Sequence, residues 1–285
     1  MIAIVGGLVT AVLWATTLLG SSRSARVIGS WSTLSWVMLV GLVVAVPLVL
    51  VAPPVTLGAP EILLLSTAGI ANAGGLLLVY TALRRGKVGV VGPIVSTEGA
   101  IGAVLAIAAG EVVGGPVLAI LALIAVGVVL AAIERATPTA ETDPAPVSAT
   151  VTALLALGGA LLFGINLFAT SLIAADLPLA WTLLPARVAG VLAVTVPLAL
   201  ARRLRMTRPV VPFVILVGVA EVAGTGTFAL GSRDSAAIAA VLASQFAGIA
   251  AIVAWLLFGE RLGRVQVAGV AIIAMGVATL ALLRA

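Results

Sequence analysis

Ten long apolar stretches, separated by short polar gaps, dominate this chain of 285 residues. A transmembrane helix needs about 20 mostly apolar residues, and each stretch is close to that length. Strands cross lipid only as a closed barrel, whose sequence would alternate apolar with polar residues, whereas these stretches are continuous runs of Val, Leu, Ala and Gly. We therefore predict an all-α integral membrane protein with ten transmembrane helices. The predicted helices cover residues 2–20, 31–52, 60–82, 88–109, 115–133, 149–172, 177–200, 209–230, 235–258 and 264–283.

The composition excludes several other classes of protein. Only 9% of the residues are charged, whereas a soluble domain has about 25%. The net charge of +5 could suggest nucleic acid as a partner, but aromatic residues for stacking on bases make up only 4%. Cysteine and histidine are absent, which removes thiolate or imidazole metal ligands and histidine bases. We expect the lipid bilayer as the environment, with no nucleic acid, cofactor or bound metal.

A polar linker divides the chain into two halves of five predicted helices each. Residues 134–148 are rich in Pro, Thr and acidic residues, which is typical of a flexible linker. An offset of 149 residues aligns Gly110 and Glu111 of the first half (1–133) with Gly259 and Glu260 of the second (149–285). Five crossings per repeat place the second repeat upside down relative to the first. The sequence therefore predicts two inverted five-helix repeats, an architecture of many secondary transporters, with the substrate site between the repeats.

Short motifs in both halves resemble the EamA-type transporters of the drug/metabolite transporter superfamily. They are Trp14 followed by Ala15, the sequence from Tyr80 to Leu83, Pro93 opening a helix that ends at Glu111, and Phe163 followed by Gly164. The resemblance covers the whole chain apart from the linker. It implies secondary transport, often export of amino acids or other small metabolites. A nucleotide-binding loop is not present in the sequence, because Gly86 and Lys87 are followed by Val88.

Three ionisable residues lie inside predicted transmembrane helices, where a charge costs about 2.5–3.5 kcal/mol on insertion scales. Glu98 lies near the middle of the fourth helix, Arg187 near the middle of the seventh and Glu221 near the middle of the eighth. One interpretation is a structural ion pair between Arg187 and a glutamate. In the other, a glutamate faces a central cavity and carries a proton or binds a substrate amine, while Arg187 binds a substrate carboxylate. The two interpretations can coexist.

Neutral polar residues extend the set of candidates for substrate binding or coupling. They lie inside apolar stretches, where each could line the cavity or join two helices by a hydrogen bond. Pro185 is a hinge candidate, because proline removes a helical hydrogen bond. The neutral candidates are Asn72, Asn166, Gln245 and Ser96.

Several other residues are expected to have structural roles. We expect Trp14, Tyr80 and Trp181 in interfacial belts or in packing, as aromatic residues often are in membranes. Glu111 and Glu260 match the family motif but fall at helix ends, where a carboxylate meets a neighbouring arginine or a helix N-terminus.

The distribution of positive charge and the resemblance predict opposite orientations in the cell membrane. The gaps after odd-numbered helices hold 12 Lys and Arg, and the other side holds 2. The positive-inside rule then places both termini outside, whereas the resemblance implies both termini inside. The oligomeric state does not follow from the sequence. The alternatives to a transporter are a non-transporting membrane subunit or scaffold and, with less support, an integral-membrane enzyme.

Overall fold

The computed structural model consists of helices and the loops between them, which confirms the predicted all-α class for the residues it describes. These are residues 1–86, 88–132, 149–250, 253 and 263–283; the predicted linker lies outside them. The helices are α1 (Ile2–Ile28), α2 (Ser30–Leu50), α3 (Ala59–Arg85), α4 (Val88–Val95), α5 (Glu98–Ala108), α6 (Gly115–Ala132), α7 (Ala149–Asp176), α8 (Ala180–Gly190), α9 (Val196–Leu200), α10 (Val211–Ser232), α11 (Ala236–Ala243) and α12 (Arg264–Leu283).

The long helices have the dimensions and the surface of membrane spans. Large apolar side chains such as Val43, Leu63 and Leu192 are more than 60% exposed on their outer faces, where lipid covers them. The chain is a multi-pass membrane protein, and ten crossings remain a prediction. Seven stretches are long and apolar enough to span, namely Ile2–Ile28, Ser30–Leu50, Ala59–Arg85, Val91–Ala108, Thr150–Asp176, Ala180–Leu200 and Arg208–Ser232, and shorter apolar helices cover Gly115–Leu130, Ala236–Ala250 and Val267–Leu280.

The two halves of the chain interleave through long helix pairs. α1 of the first half packs along α10 of the second, and α3 of the first half packs along α7 of the second. Further pairs cross between the halves, among them α5 with α11 and α6 with α12. Most of the core therefore consists of contacts between the halves, and small residues at the crossings allow this close approach.

Two glycines accommodate aromatic rings of the opposite half. A methyl group on Gly75 would lie 2.7 Å from the ring of Phe163, and one on Gly224 would lie 2.5 Å from the Trp14 Nε1. The same offset of 149 residues relates Gly75 to Gly224 and Trp14 to Phe163. Each half therefore supplies an aromatic ring and receives one on a glycine.

The predicted fourth and ninth helices are both broken near their centres. Residues Ser96 and Thr97 form a turn between α4 and α5, and a turn at Ser244 and Gln245 follows α11 before the chain is helical again over 246–250. Hydroxyl groups bond back to the preceding turn at both breaks: the Thr97 Oγ1 donates to the Ile94 carbonyl at 2.7 Å, and the Ser244 Oγ to a carbonyl at 2.8 Å. Such bonds offer the backbone an alternative to the helix.

The break corrects the predicted position of Glu98. The residue is the first of α5, not the middle of one continuous helix, so its carboxylate lies at a helix N-terminus inside the molecule.

The predicted seventh helix contains an irregular turn after Pro185. Pro185 lies inside α8, which continues to Gly190, and a π-helical turn over Val191–Thr195 joins α8 to α9. The irregular turn therefore follows the proline in the chain. The hinge role of Pro185 stays a prediction.

We expect Gly99→Ala to destabilise the crossing of α5 with α11 by about 1–3 kcal/mol. The new methyl group would lie 2.5 Å from the Ala240 carbonyl oxygen and 2.5 Å from the Ser244 Oγ, and a backbone carbonyl in a packed helix cannot move aside. Gly226→Ala is the matched control, because its methyl group meets only the Leu183 Cδ2 at 3.6 Å. Thermal unfolding of the purified variants in detergent measures the stability of each. A Gly99→Ala variant as stable as the parent chain would contradict the packing described.

Candidate functional site

A small buried cavity lies between the two halves, against α1, α3, α4, α5, α7 and α10. Its volume of about 40 Å³ is enough for a few water molecules. Aromatic and aliphatic side chains form most of its wall, and polar groups are interspersed among them. The residues that line it are Trp14, Thr17, Leu18, Ser21, Asn72, Leu76, Val79, Tyr80, Val95, Glu98, Phe163, Asn166, Leu167, Glu221 and Phe246.

A buried ion pair lies at one side of the cavity. The Arg187 Nη2 is 3.8 Å from the Glu221 Oε1, and the Arg187 side chain is fully buried. The Asn72 Nδ2 donates to the same carboxylate oxygen at 3.4 Å, and the Arg187 Nη1 donates to the Met38 Sδ at 3.6 Å. Glu221 lines the cavity, whereas Arg187 lies behind it.

The carboxylate of Glu98 has no comparable partner. It is 2% exposed, and its Oε2 has no hydrogen-bond partner among the described residues. Its position at the start of α5 places it near the positive end of that helix. Other cavity-lining groups that lack a hydrogen-bond partner in the described part of the chain are the Trp14 Nε1, the Asn72 Oδ1 and the Tyr80 hydroxyl.

These unpartnered groups indicate that the cavity is suited to a polar ligand. A buried polar group without a hydrogen bond costs about 1–3 kcal/mol, so a molecule that bonds to several of them gains by doing so. The Trp14 and Tyr80 groups can donate, and the Glu98 and Asn72 oxygens can accept. The aromatic walls would contact the apolar part of the same ligand.

Four of the seven candidate binding or coupling residues meet at this cavity. Asn166, like Glu98, Glu221 and Asn72, lines it, and the Asn166 Oδ1 accepts a hydrogen bond of 3.4 Å from Thr170. Arg187 reaches the cavity only through Glu221. The remaining two, Ser96 and Gln245, are buried at the helix breaks, where the Ser96 Oγ and the Gln245 Nε2 lack a hydrogen-bond partner among the described residues.

Two of the aromatic residues that we expected in interfacial belts or packing belong to the packed core and also line the cavity. Trp14 lies in the wall, and Tyr80 is only 1% exposed. A signal in the sequence pointed to Trp14, since the 149-residue offset aligns it with Phe163, another cavity residue. Trp181, the third residue of that group, does not line this cavity.

Glu111 has the structural role expected of a carboxylate at a helix end. It accepts hydrogen bonds from the Ser235 Oγ at 2.5 Å and from the backbone N–H of Ala237 at 3.0 Å. Both donors lie at the N-terminus of α11, where free N–H groups attract a carboxylate. Glu260, its counterpart in the sequence, lies outside the described residues.

The helical fold and the cavity between its two halves are typical of a multi-pass membrane transporter. Residues 1–133 match the family described as the EamA-like transporter family. This match to the first half of the chain supports the resemblance to EamA-type transporters of the drug/metabolite transporter superfamily that the sequence motifs indicated. The chain is also similar to another protein whose crystal structure has been solved. The two align over 99% of this chain and 96% of that chain, with 17% identity and a TM-score of 0.73. That likeness shows the fold. No match was found among curated proteins.

Proposed function

We propose that the chain is a secondary transporter of a small metabolite and works by alternating access between two inverted five-helix repeats. The observation that carries this proposal is the buried cavity between the halves, where Glu98 and three other polar groups lack hydrogen-bond partners among the described residues. A site enclosed between two repeats is the arrangement from which rocking of one repeat against the other opens access to each side in turn.

Reciprocal contacts support the proposed repeats, with boundaries at 1–133, 134–148 and 149–285. If two repeats are related by a two-fold axis and residue i contacts residue j across it, then the residues equivalent to i and j also contact each other. The aromatic–glycine contacts between the halves follow this rule. So do Gly127 and Gly276: added methyl groups would lie 3.0 Å from Ile273 and 2.5 Å from Ile124, respectively.

Two direct contacts between equivalent residues further support the repeats. Asn72 donates to Glu221, and Arg187 donates to Met38, and in each pair the partners are 149 residues apart. Equivalent residues can touch only close to a two-fold axis. The proposed axis therefore passes beside the cavity, where movement of one repeat changes the site most directly.

The charges favour a solute that carries an amine. Glu98 and Glu221 bring two carboxylates to the cavity, and the guanidinium of Arg187 is paired with Glu221 from behind the wall. Glu98 is thus the acceptor available to an ammonium group, while the Trp14 and Tyr80 donors are available to a carboxylate. The charged and polar groups of an amino acid or a related amine match these donors and acceptors, and a proton on Glu98 is the candidate coupling ion.

The sequence also supports a proposed location and, of the two orientations it suggests, the one favoured by the charge distribution. The apolar helices support a membrane location, and we assign the chain to the cell membrane. The distribution of 12 against 2 positive residues favours both termini outside, and this orientation remains a prediction.

Transport by the purified protein in liposomes tests the proposed function. A thermal-shift screen of amino acids, amines, nucleosides and sugars first selects ligands, since a ligand that binds the folded state raises its stability. We expect a selected amine-bearing solute to cross the membrane with saturation, without ATP and unchanged chemically. Liposomes without protein are the control. Binding without movement would indicate a scaffold, and chemical conversion of the solute would indicate an enzyme; either result contradicts the proposal.

A further inference from the structure

A second, larger depression lies at the helix ends, away from the central cavity. Its volume is about 760 Å³, and five arginines line it together with apolar side chains. It lies where α1 meets α2, at the end of α3 and at the loop after α9. We call it the arginine basin; its charged residues are Arg26, Arg84, Arg202, Arg203 and Arg205.

No carboxylate of the described residues neutralises the positive charge of the arginine basin. Within the described part of the chain, no carboxylate lies within ion-pair distance of these arginines. Arg26 is held by the backbone, because its Nη2 donates to the Gly86 carbonyl at 3.0 Å. The side chains of the other four make no hydrogen bond to a described residue. Four guanidinium groups are therefore available to an anion.

The loop that carries three of these arginines is held in a defined conformation. The backbone N–H of Arg205 donates to the Ser32 Oγ at 3.1 Å, and the Trp36 Nε1 donates to the Arg205 carbonyl at 2.9 Å. Arg202 has a φ of 53°, a left-handed conformation that glycine usually occupies at a helix end. An arginine there costs free energy of folding, and such positions concentrate at ligand sites.

The apolar part of the basin points to the kind of anion. Val27, Trp31 and Leu198 line it beside the arginines, and Trp31 is 53% exposed. The basin lies at the ends of membrane-spanning helices, the level at which tryptophan meets the lipid headgroups. The planar guanidinium group of arginine binds phosphate oxygens through paired hydrogen bonds. The apolar residues can contact the first carbons of an acyl chain.

We propose that the arginine basin binds the phosphate of an anionic phospholipid. A soluble anionic substrate fits less well, because the central cavity presents carboxylates, which would repel an anion. Arg26 and Arg84 belong to the first half of the chain, whereas Arg202, Arg203 and Arg205 belong to the second. A phosphate between them joins the two halves at this face of the membrane.

Titration of the full-length chain in a neutral detergent tests this site. The probes are short-chain phosphatidylglycerol, phosphatidylcholine of the same chain length, and inorganic phosphate at matched ionic strength. We expect phosphatidylglycerol to raise the thermal midpoint in a saturable way, and the other two to have less than a third of its effect. An equal response to phosphatidylcholine overturns charge recognition, and an equal response to inorganic phosphate overturns the lipid as the source.

Paired substitutions separate the basin from diffuse surface charge. In Arg84→Gln with Arg203→Gln, we expect the apparent affinity for phosphatidylglycerol to fall by about tenfold or more. Arg85→Gln with Arg208→Gln is the matched control, since both arginines are exposed, lie outside the basin and leave the same net charge. The control pair should change the affinity by about twofold or less. An equal loss of affinity in the control pair overturns the proposal. If a variant does not fold, the comparison of the three probes on the unsubstituted chain still tests it.

Discussion

Arg187→Ala is expected to lower the free energy of unfolding by about 3–5 kcal/mol, as removal of one partner of a buried ion pair does. The substitution leaves the Glu221 carboxylate buried, with a single hydrogen bond of 3.4 Å from Asn72. It also removes the guanidinium that fills the space beside Gly41 and Met38. Unfolding in mixed detergent micelles measures the loss.

The double variant distinguishes a stranded charge from lost packing. Adding Glu221→Ala to Arg187→Ala should recover part of the stability, because no unpaired carboxylate remains. Arg187→Lys should retain little of the stability that the arginine provides, since lysine keeps the charge but not the planar guanidinium group. Arg23→Ala is the control: Arg23 is exposed and lies 4.8 Å over the ring of Phe213, so its loss should cost about 1 kcal/mol or less.

An opposite result would assign Arg187 to the substrate. If Arg187→Ala is as stable as the parent chain and no longer transports solutes that carry a carboxylate, Arg187 binds that carboxylate directly. Its full burial behind Glu221 argues against this. The sequence could not separate the two roles, because it shows that a charge lies within a helix but not which neighbour faces it.

Hydropathy predicted the helical stretches well and their interruptions poorly. A stretch such as 88–109 remains apolar on average although Ser96 and Thr97 form a turn within it. Averaging over a span hides a turn of two residues, because serine and threonine are tolerated in membrane helices and bond to their own backbone. The break moved Glu98 from the expected middle of a helix to the start of one.

The rarity of polar residues in apolar helices located much of the candidate site. Glu98, Glu221, Asn72 and Asn166 were selected because polar groups in lipid need a reason, and all four line the cavity. The same signal selected Ser96 and Gln245, which lie at the helix breaks instead. Which side of a helix a residue faces depends on how the halves interleave, and that is a property of tertiary packing.

Glu98→Gln is expected to preserve the fold and to reduce transport of an amine-bearing solute by about 10- to 100-fold. Glutamine keeps the shape and hydrogen-bonding capacity of glutamate but carries neither a charge nor a titratable proton. A hydrogen bond to a charged group contributes about 1.5–3 kcal/mol, and this sets the expected range. The Glu98 Oε2 has no hydrogen-bond partner among the described residues, so the substitution breaks no hydrogen bond to a described residue at that oxygen.

The pattern of the loss separates the two proposed roles of Glu98 in transport. If the carboxylate binds the substrate amine, KM rises while a neutral analogue is transported as before. If it carries the coupling proton, the variant exchanges substrate but no longer responds to a pH gradient. Glu61→Gln is the control, because Glu61 accepts a hydrogen bond from the Gly58 N–H at the start of α3 and does not line the cavity. This variant should transport normally. A folded Glu98→Gln variant with unchanged KM, rate and pH dependence would remove Glu98 from the mechanism, and the amine-binding site would then have to be sought at Glu221.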